Sequence, residues 1–378
     1  MSNSKKKHFI IWACLISVLI LLLSLEVFAR VKYYCYVLPS QRKILYLELG
    51  DKARDFIDFD FEKHKGGMQY YDYHLYAIAP HQSKVATFTS YYSARNVPNS
   101  CPLGKGDMIL WLFGGSTMQN LETIDKFTIA NSIALGLGKH KIKATVFNFG
   151  VGGFQSSLES IKFQDLLRRT NLSERPNMVI FYDGFNDAAY AYLSGAGNMQ
   201  MDLSRKIEAL VTGHNAKLFV YSASNILSEF SYLWRDHMKL RIDAALFADH
   251  IKHPDTQDLA RGVEMYVQNT RMIRSIAKEF NIKPIFILQP MIYTKKNLTS
   301  YEISVKKGLD QKQLAFMEEF YVMVRQQMLG RDDFKDLSDI LDNSKRNDFT
   351  DLGHTGPYTG VDTGSHIAQI ITSQLEKK

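Results

Sequence analysis

Met108-Ile109-Leu110-Trp111-Leu112-Phe113-Gly114-Gly115-Ser116-Thr117 decides how the rest of this 378-residue chain is read. Six apolar residues, Met108 to Phe113, are too few for a lone helix and suit a strand buried on both faces. Two glycines then let the backbone turn sharply and bring a neighbour close. Ser116 sits at the exit. A buried strand that delivers a hydroxyl at its C-terminal edge puts it where open α/β sheets hold their ligands.

Outward from this strand the pattern alternates. Further strands are predicted at Ala144–Phe149, Met178–Tyr182 and Pro284–Gln289, and helices at Asp125–Gly136, Ser156–Arg169, Thr256–Phe280, Asp310–Leu329 and Ser365–Leu375. Strands separated by helices of this length imply βαβ crossovers, hence an α/β fold with a mostly parallel sheet and helices on both faces. Residues 107–378 are enough for one large core. Residues 188–254 are too long for a simple connection. Their aromatic and basic content (Phe219, Tyr221, Phe230, Tyr232, Trp234, Arg235, Arg241) suggests a mostly helical insertion that could cap the sheet's C-terminal edge. Between residues 44 and 106 lies an irregular extension rich in tyrosine and histidine, in which only Lys84 to Tyr92 alternates as a strand would. Its tyrosines could line a carbohydrate site or simply cover a core edge.

Residues 1–43 are expected to lie outside the fold. Lys5, Lys6 and Lys7 precede an apolar run from Phe9 to Leu25, and Glu26, Arg30 and Lys32 follow it. With the apolar residues beyond Glu26, the run is about long enough to cross a bilayer, at ~20 residues per span. Val27-Phe28-Ala29 could serve as a signal-peptide cleavage site, which would give a secreted protein. The length of the run and the interrupting Glu26 favour a retained transmembrane signal anchor. The crowded N-terminal lysines place that end in the cytoplasm and the body outside. This segment also carries +6 of the chain's formal charge of +7, leaving 39 basic and 38 acidic residues in the body. A body so nearly neutral has no electrostatic footprint for nucleic acid.

No cofactor or metal site is expected. Cys14, Cys35 and Cys101 have no partners at CxxC spacing. Cys35 and Cys101 could pair in an oxidising compartment, or remain two free thiols. Gly150-Val151-Gly152-Gly153 fails the dinucleotide pattern because Gln155 stands where the third glycine belongs, and no phosphate loop is present.

Three later stretches fall where active-site loops belong: Asn148 to Gly153, Tyr182 to Asp187, and Asp351-Leu352-Gly353-His354. A serine hydroxyl needs a base to become a nucleophile, and the base needs a third group to fix its tautomer. Asp351 and His354, three apart in a turn, can bring carboxylate and imidazole side by side with the imidazole facing Ser116. The oxyanion formed on attack needs preorganised donors. The backbone N–H groups of Ser116 and Gly153 and the amide of Asn186 come from adjacent strand ends and could converge there. Asn186 and Asp187 could instead cap a helix.

In these blocks the chain resembles the SGNH (GDSL-type) hydrolases: Ser116 after the first strand, Gly153 after the second, Gly184-Phe185-Asn186-Asp187 after the third, and Asp351 to His354 near the C-terminus. The resemblance covers residues 107–378 and departs at Gly115, where the name-giving motif has aspartate. It implies a flavodoxin-like three-layer sandwich and a serine ester hydrolase. Ser116, His354 and Asp351 would be catalytic, with Ser116, Gly153 and Asn186 forming the oxyanion hole. For an anchored member of the cell envelope it implies an acylated carbohydrate or small ester as substrate, acetyl above all. Two alternatives stay open: an O-acyltransferase using the same site on an envelope glycan, and a non-catalytic glycan-binding or assembly factor on the same fold.

Overall fold

The central strand forms because its side chains have two apolar layers to enter. Leu110, Trp111, Leu112 and Phe113 are all fully buried, at roughly 1.5–3 kcal/mol each for the transfer from water. Alternate residues face opposite ways. Leu110 and Leu112 join Ile180, Ile285, Ile129, Ile133 and Ile367 on one side. Trp111 and Phe113 join Phe149, Phe163, Phe181 and Ile273 on the other.

The computed structural model of the chain describes residues 3–37, 67–83, 86–120, 123–194, 207, 209–246 and 254–376. The expectations for residues 38–66, for Lys84 and Val85, and for residues 195–206 and 247–253 of the insertion lie outside the described residues. The strands are β1 (Met68–Tyr71), β2 (Leu75–Ile78), β3 (Met108–Gly114), β4 (Ala144–Asn148), β5 (Met178–Asp183), β6 (Lys283–Leu288) and β7 (Phe334–Asp336). The helices are α1 (Asn3–Lys32), α2 (Ser116–Gln119), α3 (Ile129–Lys139), α4 (Ser156–Arg169), α5 (Phe185–Ser194), α6 (Asn215–Phe230), α7 (Leu240–Leu246), α8 (Thr256–Glu279), α9 (Ser300–Gly308), α10 (Gln311–Met328) and α11 (Pro357–Glu376).

The chain divides into two compact units: residues 1–44 with 202–251, and residues 45–201 with 252–378. In the larger unit a five-stranded sheet runs β4-β3-β5-β6-β7, every pair parallel. Counted within the sheet this is the flavodoxin-like order 2-1-3-4-5, with the direction of winding reversing between β3 and β5. Helices α3 and α11 cover one face, and α4 and α8 the other. The expected α/β three-layer architecture is therefore the one observed. β1 and β2 form a separate antiparallel hairpin ahead of it.

Three expectations need correction. Asp125–Gly136 is not one helix: Asp125–Phe127 is a 3-10 turn, and Thr128 is extended and caps α3 by accepting from the Asn131 N–H at 3.1 Å. The last helix begins at Pro357, two turns before Ser365, because proline is favoured at a first helical position. Among the described residues, Lys84–Tyr92 makes only isolated bridges at Phe88, to His81 and Arg95. The tyrosines near it cover the core edge: Tyr91 stacks on Phe147 at 4.6 Å, and Tyr92 donates to the Arg169 carbonyl. All three cysteines are free thiols.

In the smaller unit α1 and the wider helical turn that follows it, Tyr33–Val37, contain a run, Ile10–Cys35, long and apolar enough to cross a membrane, with none of it buried. The described part of residues 188–254 within this unit is helical in α6, α7 and the wider turn between them.

Candidate active site

The carboxyl ends of β3, β4 and β5 meet at the reversal point, and each contributes one loop. β3 ends at Gly114, and Ser116 opens the single turn α2, so its N–H is one of the orphan donors of a helix start. The β4 loop is laced to this turn. Val151 N–H donates to the Gly114 carbonyl at 3.0 Å, and the Asn148 amide to the Met118 carbonyl at 2.9 Å. Gly152 N–H donates to Gln119 Oε1 at 2.9 Å, and the Tyr76 hydroxyl reaches the Gly152 carbonyl at 3.0 Å. Gly153 follows in the left-handed region, φ +80°, a conformation that favours glycine.

From the β5 loop, Asn186 Nδ2 donates to the Phe154 carbonyl at 2.5 Å. An amide nitrogen carries two protons, so one stays free while the other fixes the side chain's direction. Asp187 turns the other way, accepting from Ser156 Oγ at 2.5 Å and Ser156 N–H at 3.2 Å at the start of α4. Gly115 packs against Asn186 so closely that a Cβ there would lie 2.2 Å from Nδ2. No side chain, aspartate included, fits at position 115 unless Asn186 shifts.

The fourth loop precedes α11. Asp351 Oδ1 accepts the N–H groups of Gly353 (2.9 Å) and His354 (2.8 Å), closing a tight turn. Its Oδ2 lies 2.7 Å from His354 Nδ1, and His354 Nε2 lies 2.7 Å from Ser116 Oγ. A carboxylate on Nδ1 sets the tautomer that leaves Nε2 as acceptor for the serine proton. Burial pushes the Asp351 carboxyl up, but the hydrogen bond and charge of His354, with the two backbone donors, outweigh it and hold it below the usual carboxylate value. Phe185 meets the imidazole edge-on at 6.0 Å.

Ser116, His354 and Asp351 thus form one hydrogen-bonded chain, 238 positions apart in sequence between Ser116 and His354. Such a chain can draw a proton from a hydroxyl and hold the resulting imidazolium beside a carboxylate. The Gly152 N–H is taken by Gln119, whereas Gly153 N–H has no acceptor among the described residues.

Several supporting groups escaped the sequence reading. Arg95, from the extension, is buried and donates through Nε to Asp125 (2.9 Å) and through Nη1 and Nη2 to the carbonyls of Gln119 (2.6 Å), the last residue of α2, and Thr123 (2.5 Å) beyond it. Thr117 donates to Gln289 Oε1 at 2.9 Å. Beneath the fourth loop, Lys295 Nζ binds both Glu302 oxygens (3.0 and 2.8 Å) and Asp348 Oδ2 (2.8 Å), all three side chains fully buried. Of these, only Glu302 has a local signal that could have found it: Thr299 and Glu302 have capping-box spacing, and α9 begins with that box.

No family model matches the chain, and no curated protein matches its sequence. Among solved structures, it is similar to an acetyl xylan esterase, AlAXEase, at 12% identity over 71% of this chain and 99% of that one, with a TM-score of 0.39. An acetylxylan esterase from Geobacillus stearothermophilus aligns at 12% identity over 70% and 94%, TM-score 0.38. An alpha/beta hydrolase enzyme from the metagenome of Lake Arreo, Spain, aligns at 12% identity over 70% and 95%, TM-score 0.39.

Proposed function

We propose that the chain is a membrane-anchored serine esterase of the SGNH type that removes acyl groups, acetyl above all, from a cell-envelope carbohydrate. The observation that carries the reading is the pair of 2.7 Å contacts linking Ser116, His354 and Asp351. Ser116 Oγ attacks the ester carbonyl carbon while its proton passes to His354 Nε2. The negative charge collects on the carbonyl oxygen, for which Ser116 N–H, Gly153 N–H and the free amide proton of Asn186 are the donors. The tetrahedral intermediate collapses by breaking the bond to the alkoxy oxygen, and His354 returns the proton to the leaving alcohol. Water then attacks the acyl-serine, gives a proton to His354 and displaces Oγ, which regains that proton as the acid leaves. Asp351 stays ionised throughout and stabilises the imidazolium.

The envelope substrate rests on the resemblance and on location. The N-terminal apolar run is taken as a retained single span, with the cluster Lys5 to Lys7 on the cytoplasmic side and the body outside. The test is turnover of short-chain aryl esters and acetylated glycans by the full chain in detergent, compared with Ser116→Ala. A nucleophile acting as a unit with its base is worth about 10⁶ in kcat. A Ser116→Ala protein retaining a tenth of the activity would end the serine-ester reading.

A further inference from the structure

Helix α6 is packed the wrong way round for water. Its covered side is polar or amphipathic: Tyr221 and Ser224 are 5% and 2% exposed, and Ser224 Oγ accepts from Trp234 Nε1 at 3.1 Å. Its open side is apolar. Phe219, Ile226 and Phe230, at helical spacing, are 75%, 57% and 71% exposed. A contiguous apolar stripe left open on a helix marks a surface that meets something other than water.

What it meets follows from where the helix ends. Phe230 to Leu233 are fastened to the C-terminal part of α1. Glu26 accepts from Ser231 Oγ (2.7 Å) and from the N–H groups of Tyr232 (2.9 Å) and Leu233 (3.0 Å). Arg30 donates to the Phe230 carbonyl at 2.5 Å. This accounts for the glutamate that interrupts the apolar run: it is a docking point, occupied by backbone donors. One turn further on, Tyr33 and Tyr34 lie against Tyr232 at 5.1 and 5.9 Å, and Arg235 stacks over Tyr33 at 4.5 Å and Tyr232 at 4.1 Å. Tyrosines and arginines gathered at one end of an apolar span are the residues that settle at the headgroup level of a bilayer. The end of α6 is therefore held at that level by contacts within its own unit.

We infer that α6 is an interfacial helix, with Phe219, Ile226 and Phe230 seated in the acyl-chain boundary of the leaflet on the body side of the span. The partner is lipid. This rests on the reading of Ile10–Cys35 as a transmembrane segment, and the experiment separates the two.

In the full chain, with Cys14, Cys35 and Cys101 replaced by serine, single cysteines are introduced as Phe219→Cys, Ile226→Cys and Phe230→Cys. His214→Cys, exposed at the N-cap of α6 and about 140° around the helix from Phe219, reports the side away from the stripe, and Leu19→Cys the span. Each protein is spin-labelled and reconstituted into phosphatidylethanolamine–phosphatidylglycerol vesicles. Collision with dissolved oxygen, which partitions into lipid, is compared with collision with a water-soluble nickel chelate. The expected result is a several-fold higher oxygen-to-nickel ratio at 219, 226 and 230 than at 214, approaching that at 19. Ratios at the three stripe positions equal to that at 214, with position 19 in lipid, would overturn the inference and leave the anchor standing. Stripe labels shielded from both reagents, as in a contact between proteins, would overturn it too. A water-like ratio at position 19 would remove the anchor and the inference with it.

Discussion

Gly115 and Asn186 have to be considered together. The backbone passes so close to the Asn186 amide that a Cβ at 115 would meet Nδ2 at 2.2 Å and the Phe154 carbonyl at 3.0 Å, and that carbonyl accepts from the same amide. Asn186→Ala is expected to lower kcat by ~10²–10³, the usual cost of one oxyanion donor, with little change in KM, because the charge it meets develops only in the transition state. Gly115→Ala should lower kcat in the same way by displacing the amide, and the double variant should be little worse than Asn186→Ala, since both remove one donor. Steady-state kinetics on the three proteins checks this; additive losses would show that position 115 acts elsewhere. Asp187, the neighbour of Asn186, gives a pH prediction. Burial raises its carboxyl from the ordinary 3.8 to about 6, against the opposing donors of Ser156, and burial also drives Glu159 and Asp183 well up beside it. The folded chain then holds a proton that the unfolded chain has already released, so Asp187's contribution to stability falls as pH rises through this interval. Asp187→Asn should gain on the wild type in urea unfolding as pH climbs from about 4 to about 6, and gain no more from this group above it. A difference between the two proteins that is flat across that window would contradict the account.

At the scale of elements, the loop that carries Asp351 and His354 depends on charges buried beneath it. Lys295 joins Glu302 to Asp348, and Glu302 Oε1 accepts the N–H groups of Asp348 (2.9 Å) and Phe349 (3.3 Å) as well. Asp348 Oδ1 accepts from Thr359 in α11 at 2.7 Å. Lys295→Met would leave two carboxylates without their cation, a loss of about 3–5 kcal/mol for a broken buried pair. Chemical unfolding monitored by circular dichroism measures it. A loss under ~1 kcal/mol would mean that the loop is held by other contacts. The Thr299–Glu302 spacing signals only a helix cap, and the pairing itself was not legible in the sequence, because Lys295 is seven residues from Glu302 and 53 from Asp348. What was legible is local. The four long apolar strands announce themselves by composition, whereas β7, with Phe334-Lys335-Asp336, is short and half polar and pairs only through its neighbour β6. The break at Thr128 was marked by a capping residue but hidden inside an otherwise helical period.

At the scale of the whole molecule, the parallel sheet and its strand order give the chain a single point where winding reverses, and the loops after β3, β4 and β5 all open there. The sequence could show that a serine, a glycine and an asparagine each follow a strand; only the strand order makes those strands neighbours. The loop before α11 closes the arrangement from the far end of the chain, which no local pattern could have positioned. The central claim is that this convergence makes Ser116 a nucleophile, and trapping tests it most directly. The full chain would be incubated with a fluorophosphonate ester, whose phosphorus is attacked only by an activated hydroxyl, and digested for mass spectrometry. The account predicts one phosphonate per chain, on the peptide containing Ser116, with labelling lost in His354→Ala. Absence of label on Ser116 in a protein that turns over esters, or equal labelling without His354, would contradict it.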